Sequence, residues 1–99
     1  MSPLAALSLS GMQAARTRAA VSAQNIASVY AADERRREVV LADLREGGVE
    51  ARVALAKDPG AALVDDVIGQ LIAKNHYLAN LALFRANYYR IGSLLDIAV

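Results

Sequence analysis

The longest regular pattern in this sequence is a helical one near its C-terminus, over residues 60–97. Apolar side chains recur there at steps of three and four residues, a spacing that places them on one side of an α-helix. From Tyr77 onward the steps alternate between four and three, as in a coiled-coil seam. Asp58 and Pro59 are suited to a helix cap and a first helical turn. The pattern predicts a helix about 55 Å long with this apolar stripe: Val64, Val67, Ile68, Leu71, Leu78, Leu81, Phe84, Tyr88, Ile91 and Leu95.

A second long helix is predicted at the other end of the chain, over residues 3–31. Ser2 can cap it, and Pro3 is favoured in a first helical turn. Gly11 lowers helix stability by about 1 kcal/mol relative to alanine, so we expect another helix to approach closely there. The stripe of this helix combines apolar residues with small polar ones: Leu4, Ser8, Met12, Ala15, Ala19, Ser22, Ile26 and Val29.

The segment between the two helices has the pattern of a β-hairpin. Apolar and polar residues alternate over 49–55, which is typical of a half-buried strand. Residues 39–41, Val-Val-Leu, are rich in β-branched side chains and can pair with it through a turn at 45–48. The alternative is that residues 33–45 continue the first helix. We favour the hairpin.

These elements predict a mainly α protein with one domain over residues 1–99. Two antiparallel helices, about 3–31 and 60–97, form a coiled-coil-like pair, and a small hairpin, about 38–56, lies between them; the three parts of the domain are 1–32, 33–58 and 59–99. The chain is 56% hydrophobic but has only 5% aromatic residues and no tryptophan, a composition that favours closely packed helices. One helix pair cannot bury this much apolar surface, so we expect self-association.

Composition excludes several classes of protein. A formal net charge of +1 is wrong for a generally basic nucleic-acid binder. Without cysteine the chain has no disulfide framework, thiolate metal site or thiol nucleophile. No charge-free run reaches the roughly 20 residues that a membrane span requires.

The ionisable residues do not form a recognisable active site, so we predict that the chain is not an enzyme. Asp65 and Asp66 are adjacent and point about 100° apart on a helix, which prevents a catalytic carboxylate pair, but they suit the positive end of the helix dipole. The run of Arg35 to Arg37 is flanked by acidic residues, which favours a solvated segment over a phosphate site. The single histidine, His76, lacks metal-ligand companions one turn away, where the sequence has Ile72, Ala73, Ala79 and Asn80.

Two asparagines interrupt the apolar helical patterns. An amide inside an apolar seam usually fixes the register of helix packing at a cost in stability. For Asn25 the sequence leaves two interpretations open: the side chain fixes the register of helix packing, or it is an exposed polar residue. Asn80, in the segment Tyr-Leu-Ala-Asn, raises the same question.

Both ends of the chain resemble the rod and hook proteins of the bacterial flagellum. That family has an N-terminal Ala/Leu-rich helix with a Ser-Gly-Met element and an Asn-Ile-Ala signature, matched here at 10–12 and 25–27. Its closing helix carries a Leu, Tyr, Ala and Asn core and ends in Gly-Ser-Leu-Leu-Asp-Ile, matched here by Leu71, by Tyr77 to Asn80 and by residues 92–97. The middle of the chain is similar to the short β segment of small proximal-rod proteins.

The resemblance implies a structural subunit of the periplasmic flagellar rod, exported by the flagellar type III apparatus without a cleaved signal. It implies self-association through the terminal helices, with other axial proteins and the export apparatus as partners. It implies no cofactor, metal, nucleic acid or small-molecule substrate. The residues expected at the assembly interface are Met12, Asn25, Ile26, Ala27, Leu71, Tyr77, Ala79, Asn80, Phe84, Ile91, Leu94 and Leu95.

The sequence departs from the family in two places. The family's second Asn and its Thr-x-Gly-Tyr turn, which follow the Asn-Ile-Ala signature, are replaced by residues 28–32. These residues lack glycine, so the first helix is expected to run on past Tyr30. Residues 86–89 replace the family's Ala-Asp-Glu-Met before the closing glycine. A rival interpretation is a peripheral membrane or partner-binding module that uses the 3–31 stripe, with Arg16 and Arg18 at lipid headgroups.

Overall fold

The computed structural model describes residues 3–29, 36–56 and 62–98, with side chains described to residue 90. Its element order is α1 (Pro3–Ala27), β1 (Arg37–Asp43), β2 (Val49–Leu55) and α2 (Leu63–Ala98). The predicted fold class is confirmed, because two helices enclose a two-stranded antiparallel hairpin. The shape is elongated, with principal extents of 63 × 25 × 15 Å.

The two helices run antiparallel along a narrow seam. Gly11 faces Asn80, and Ser22 faces Gly69. Asn25 Nδ2 lies 3.5 Å from Asp66 Oδ1. From one of these three contacts to the next, the residue number on α1 increases by as much as the residue number on α2 decreases. With this register, α1 covers only the part of α2 that lies before its last turns.

Most of the buried side chains of the two helices are small or polar. On α1 the buried residues Ala5, Ser8, Met12 and Ala15 recur at three- and four-residue steps, and on α2 Ala73 is only 1% exposed. Small residues let two helix backbones approach closely, and Gly11 shows how closely, because a Cβ there would lie 2.5 Å from Asn80 Oδ1. The expectation of a close helix approach at Gly11 is therefore confirmed. The buried residues of α1 are Ala5, Ser8, Met12, Ala14, Ala15, Val21 and Asn25.

The hairpin is regular, with Arg37 opposite Leu55 at its base and Asp43 opposite Val49 at its tip. Gly47 and Gly48 close the turn with φ of 91° and 97°, in the left-handed region that favours glycine. Within the described residues, both strands pack against α1 and neither packs against α2. The two-stranded sheet thus depends on α1 for support, because an isolated hairpin is only marginally stable in water.

The structure corrects the predicted helix boundaries. α1 ends at Ala27, four residues earlier than predicted, and Ser28 and Val29 form a turn closed by a bond from the Val29 N–H to the Ile26 carbonyl. The prediction that α1 runs on past Tyr30 is wrong, because the chain must turn back to bring Arg37 beside Asn25. α2 begins at Leu63 rather than at residue 60, and Asp58 and Pro59 lie outside the described residues.

Candidate functional site

Asn25 joins the end of α1 to the base of β1 through both atoms of its amide. Its Nδ2 donates to the Arg37 carbonyl at 2.8 Å, and its Oδ1 accepts from the Arg37 N–H at 3.0 Å. A neighbouring strand residue would offer the same donor and acceptor, so the side chain imitates the next strand of the sheet. Asn25 is 9% exposed, which supports the register interpretation over that of an exposed polar position.

The backbone groups of Arg37 are free for this contact because they point away from β2. Ala56 donates to the Arg36 carbonyl and Leu44 donates to the Gly48 carbonyl, so the hydrogen-bonded pairs of the hairpin involve even-numbered residues. Antiparallel ladders alternate, and the odd-numbered residues therefore turn their N–H and C=O groups outward. Unpaired outward groups are the usual weakness of an edge strand, and Asn25 covers those of Arg37.

Ser10 makes an equivalent contact at the opposite corner of the hairpin. Its Oγ accepts from the N–H of Val49, which points outward from β2, at 3.3 Å. The same hydroxyl donates to the Leu7 carbonyl at 2.8 Å. α1 therefore crosses the hairpin diagonally, from the base of β1 at Asn25 to the tip of β2 at Ser10.

An ion pair between Arg36 and Asp66 holds the start of the hairpin against α2. Arg36 Nε donates to Asp66 Oδ2 at 3.2 Å, and Arg36 Nη2 also bonds to the carboxylate. The Asp66 side chain is only 6% exposed. The hydrogen bond with Asp66 raises the pKa of Arg36 above its usual value, partial burial opposes that rise, and the nearby carboxylate charges reinforce it. Asn25 Nδ2 lies 3.5 Å from Asp66 Oδ1, so the three side chains form one polar cluster.

The prediction that the arginine run is solvated holds for one of its residues and not for another, and Arg35 lies outside the described residues. Arg37 is exposed, but Arg36 is half-buried against Asp66. Asp66 sits in the first turn of α2, where a negative charge is favoured by the helix dipole as predicted. Sequence reasoning missed its ion pair because Arg36 and Asp66 are thirty positions apart and no local spacing links them.

Asn25 and Asn80, the two asparagines that interrupt the apolar helical patterns, do not contact each other. Asn25 is near one end of the helix pair and Asn80 faces Gly11 toward the other end. Asn80 Nδ2 donates to the His76 carbonyl one turn earlier. His76 itself is exposed. The two asparagines are therefore separate features of the same seam.

The residues predicted at an assembly interface fall into four groups. Met12 and Asn25 are buried inside the chain, and Ile26, Tyr77, Asn80 and Phe84 are half-buried. Ala27, Leu71 and Ala79 are exposed. Ile91, Leu94 and Leu95 lie on the helical backbone of α2, and their side chains are outside the described ones.

Many large apolar side chains of α2 are exposed, whereas Tyr77, Leu81 and Phe84 are half-buried. Val64 is 70% exposed and Leu71 is 59% exposed. They belong to the side of α2 opposite the seam, which we call the outer face. Its residues are Val64, Ile68, Leu71, Ile72, Asn75, Leu78, Ala79, Ala82, Ala86 and Tyr89, all of them exposed. Since the strands pack against α1 and not α2, the hairpin leaves this face uncovered along its length.

The amount of exposed surface is large for a chain of this length. The accessible area is 7341 Å², whereas a compact monomer of 99 residues is expected to expose about 5,400 Å². The radius of gyration is 17.2 Å, against about 13 Å for a globular domain of this length. The structure is therefore thin and elongated, and one side of α2 is available for packing against another molecule.

Over the described ranges, no group of three or more His, Cys, Asp or Glu side chains is arranged to hold a metal ion. Over the same ranges, no helix is long and apolar enough to cross a membrane. Comparison of the sequence with known protein families and with curated proteins finds no family model and no relative that matches.

Proposed function

We propose that this chain is a structural subunit of the bacterial flagellar basal-body rod that self-associates through its N- and C-terminal helices. The structural observation that carries the assembly part is the division of apolar residues between the two sides of α2. The seam with α1 uses small residues such as Ala73, while Val64 and Leu71 face outward. Exposed apolar surface of this extent marks an interaction site on a soluble protein.

The flagellar part of the proposal is supported by the paired end motifs. The Ser-Gly-Met and Asn-Ile-Ala elements lie on α1, and the Tyr-Leu-Ala-Asn and Gly-Ser-Leu-Leu-Asp-Ile elements lie on α2. Elements from opposite ends of the chain are thereby carried by one antiparallel helix pair. This arrangement is compatible with the family's paired terminal helices, and the short hairpin takes the place of a larger middle domain.

The membrane-binding alternative would require α1 to leave α2. Met12 and Ala15 of its apolar stripe are buried in the seam, at 7% and 3% exposure. An interfacial helix inserts its apolar stripe into the lipid boundary, so binding would cost the contacts that these residues make with the rest of the chain. Co-sedimentation with anionic liposomes tests this alternative directly.

The flagellar proposal is tested by locating the chain in its native bacterium. An epitope-tagged chain is expected to copurify with detergent-extracted basal bodies, and deletion of its gene is expected to abolish or shorten the rods. A motile deletion strain with intact rods, together with the absence of the tagged chain from basal bodies, would overturn the flagellar assignment. A tag at the exposed hairpin turn, near Arg45, keeps both helices unmodified.

A further inference from the structure

The outer face of α2 changes in character along its length. Its centre line recurs at alternating steps of four and three residues, which is the spacing of a helix–helix seam. Large side chains occupy its N-terminal half, with Ile68 and Ile72 on the centre line. Alanine occupies its C-terminal half, and Asn75 separates the two halves. The centre line consists of Ile68, Ile72, Asn75, Ala79, Ala82 and Ala86.

Exposed charged side chains also lie beside the outer face. Asp65 is exposed at the N-terminal end. Arg85 and Arg90 are exposed at the C-terminal end. Lys74 is exposed between them. Along the centre line, isoleucines near a negative charge are therefore followed by alanines near positive charges.

We propose that the outer face binds the outer face of a second copy of this chain, with the two α2 helices antiparallel. In that orientation Ile68 of each copy packs on Ala86 of the other, and Ile72 packs on Ala82. Asp65 of each copy then lies about one residue from the level of Arg90 of the other. The large residues fill the space above the alanines, and the two charged flanks attract each other.

In a parallel pairing, each residue of the outer face would lie opposite the same residue of the second copy. Ile68 would face Ile68, the alanines would leave gaps opposite one another, and unfilled space in an apolar contact costs stability. Asp65 would lie near Asp65, and like charges at neighbouring positions are unfavourable. Size and charge complementarity therefore both select the antiparallel orientation and identify a second copy as the occupant.

The available surface is sufficient for such a dimer. The accessible area exceeds that of a compact monomer by roughly 1,900 Å², and a stable interface removes about 800 Å² from each partner. The face from Val64 to Tyr89 lies on a single helix, so its residues keep their spacing when a second copy docks. The dimer would place four helices in one layer, with the α1 helices outermost.

This proposal concerns the same outer face of α2 and does not depend on the flagellar assignment. A two-fold pairing closes on itself and yields a dimer, whereas subunits of a rod all point in one direction along its axis. Dimer formation by a chain that is absent from basal bodies would contradict only the flagellar proposal. Rod incorporation by a chain that never dimerises would contradict only the present one.

Sedimentation velocity of the full chain across a range of concentrations provides the first test. We expect a monomer–dimer equilibrium that Ala82→Glu weakens by at least about tenfold, because it places a charge at the centre of the apolar contact. Ala20→Glu is the matched control, since Ala20 is exposed on α1, and it is expected to leave the equilibrium unchanged. A wild-type chain that stays monomeric and folded at high concentration, or equal effects of both variants, would overturn the proposal.

A charge exchange tests the orientation. Asp65→Arg and Arg90→Asp are each expected to weaken the dimer several-fold, and the double variant is expected to recover most of the loss, as a coupled pair does in a double-mutant cycle. Circular dichroism of each variant checks that α2 keeps its helicity. Additive losses in the double variant would contradict the proposed contact.

Disulfide trapping distinguishes the two orientations in a chain that has no cysteine of its own. Ile68→Cys and Ala86→Cys are made as separate variants, then mixed and oxidised. The antiparallel dimer brings these two positions within disulfide distance, so the mixture is expected to form the mixed dimer and each variant alone to cross-link weakly. Efficient cross-linking of Ile68→Cys to itself, with little mixed product, would overturn the antiparallel dimer.

Discussion

The amide of Asn25 hydrogen-bonds both the N–H and the carbonyl of Arg37, so one helix side chain takes the place of a strand residue beside β1. Together with the bond from the Val49 N–H to Ser10, this contact anchors the hairpin to α1 at two diagonal corners. The sheet has only two strands, and each anchor covers outward backbone groups that a third strand would otherwise pair. The stability of the hairpin should therefore depend on α1 as much as on its own ladder.

Asn25→Asp tests the role of the amide. A carboxylate at this position can still accept from the Arg37 N–H, but it cannot donate to the Arg37 carbonyl, and it lies close to Asp66. We expect a loss of about 1–3 kcal/mol in the free energy of unfolding at pH 7. Because the neighbouring carboxylate raises the pKa of the new aspartate in the folded chain, the variant should recover stability relative to wild type as the pH falls and lose it as the pH rises.

The measurement is urea denaturation of wild type and variant at pH 7 and at pH 4, followed by circular dichroism. Asn25→Ala is the matched control, because it removes the same hydrogen bonds without adding a charge. A stability difference between Asn25→Asp and wild type that is the same at both pH values would contradict the proposed proximity to Asp66.

Asp66→Asn should destabilise the fold much more than Asp65→Asn. Asp66 is buried and bonded to Arg36, whereas Asp65 is exposed. Removing one partner leaves the Arg36 guanidinium half-buried without its carboxylate, at a cost of about 1–3 kcal/mol. The two substitutions remove the same charge from the same helical turn, so the helix-dipole effect is similar in both. Equal urea midpoints for the two variants would show that the ion pair contributes nothing measurable.

The close approach of the helices predicts non-additive effects at Gly11 and Asn80. Gly11→Ala should gain about 1 kcal/mol of helix propensity, but its Cβ would lie 2.5 Å from Asn80 Oδ1. We expect no net gain in the wild-type background, because the overlap offsets the propensity. In an Asn80→Ala background the same substitution should raise the unfolding free energy by about 1 kcal/mol. A double-mutant cycle in thermal unfolding measures the difference, and additive effects would contradict the contact.

The turn glycines should differ in their tolerance of alanine. Gly47 and Gly48 have similar positive φ values, so the backbone strain of a substitution is similar, about 1–2 kcal/mol. A Cβ at Gly48 would lie 2.5 Å from Ser10 Oγ, whereas one at Gly47 would lie 3.3 Å from Leu7. Gly48→Ala should therefore be the more destabilising, and it should also weaken the bond from the Val49 N–H to Ser10. Equal thermal midpoints for the two variants would argue against the packing of α1 on the turn.

Sequence analysis predicted the elements better than it predicted their contacts. The two helices and the alternation over 49–55 follow from local periodicity, which a single sequence displays directly. The apolar stripe predicted for α2 divides in the structure, since Val64, Ile68 and Leu71 lie on the outer face whereas Leu81 and Phe84 are half-buried. The sequence did not show that α1 would pack against the side of α2 opposite the outer face. Small residues that let two helix backbones approach closely do not form a periodic apolar pattern.

The polar cluster could not be predicted from local sequence patterns, for a related reason. Asn25, Arg36 and Asp66 come from three different elements, and each has an ordinary local explanation as a helix interruption, a solvated charge or a dipole partner. Only the turn after Ala27, four residues earlier than predicted, brings Arg36 and Arg37 back to Asn25. Because α1 was predicted to end four residues later than it does, the cluster could not be predicted from the sequence.

Leu71→Ala separates folding from association. Leu71 is 59% exposed, so the substitution should change the unfolding free energy of the dilute monomer by no more than about 0.5 kcal/mol. On the outer face it should nevertheless weaken association, because it removes apolar area that a second copy would cover. Glu50→Ala is the control, since Glu50 is exposed on β2 and its substitution should leave association unchanged.

Leu94→Ala and Leu95→Ala, chosen from the closing motif of the sequence, are also expected to weaken assembly more than Glu50→Ala does. Sedimentation at several concentrations measures all four variants, and equal association of Leu71→Ala and Glu50→Ala would show that the outer face of α2 is not the contact surface.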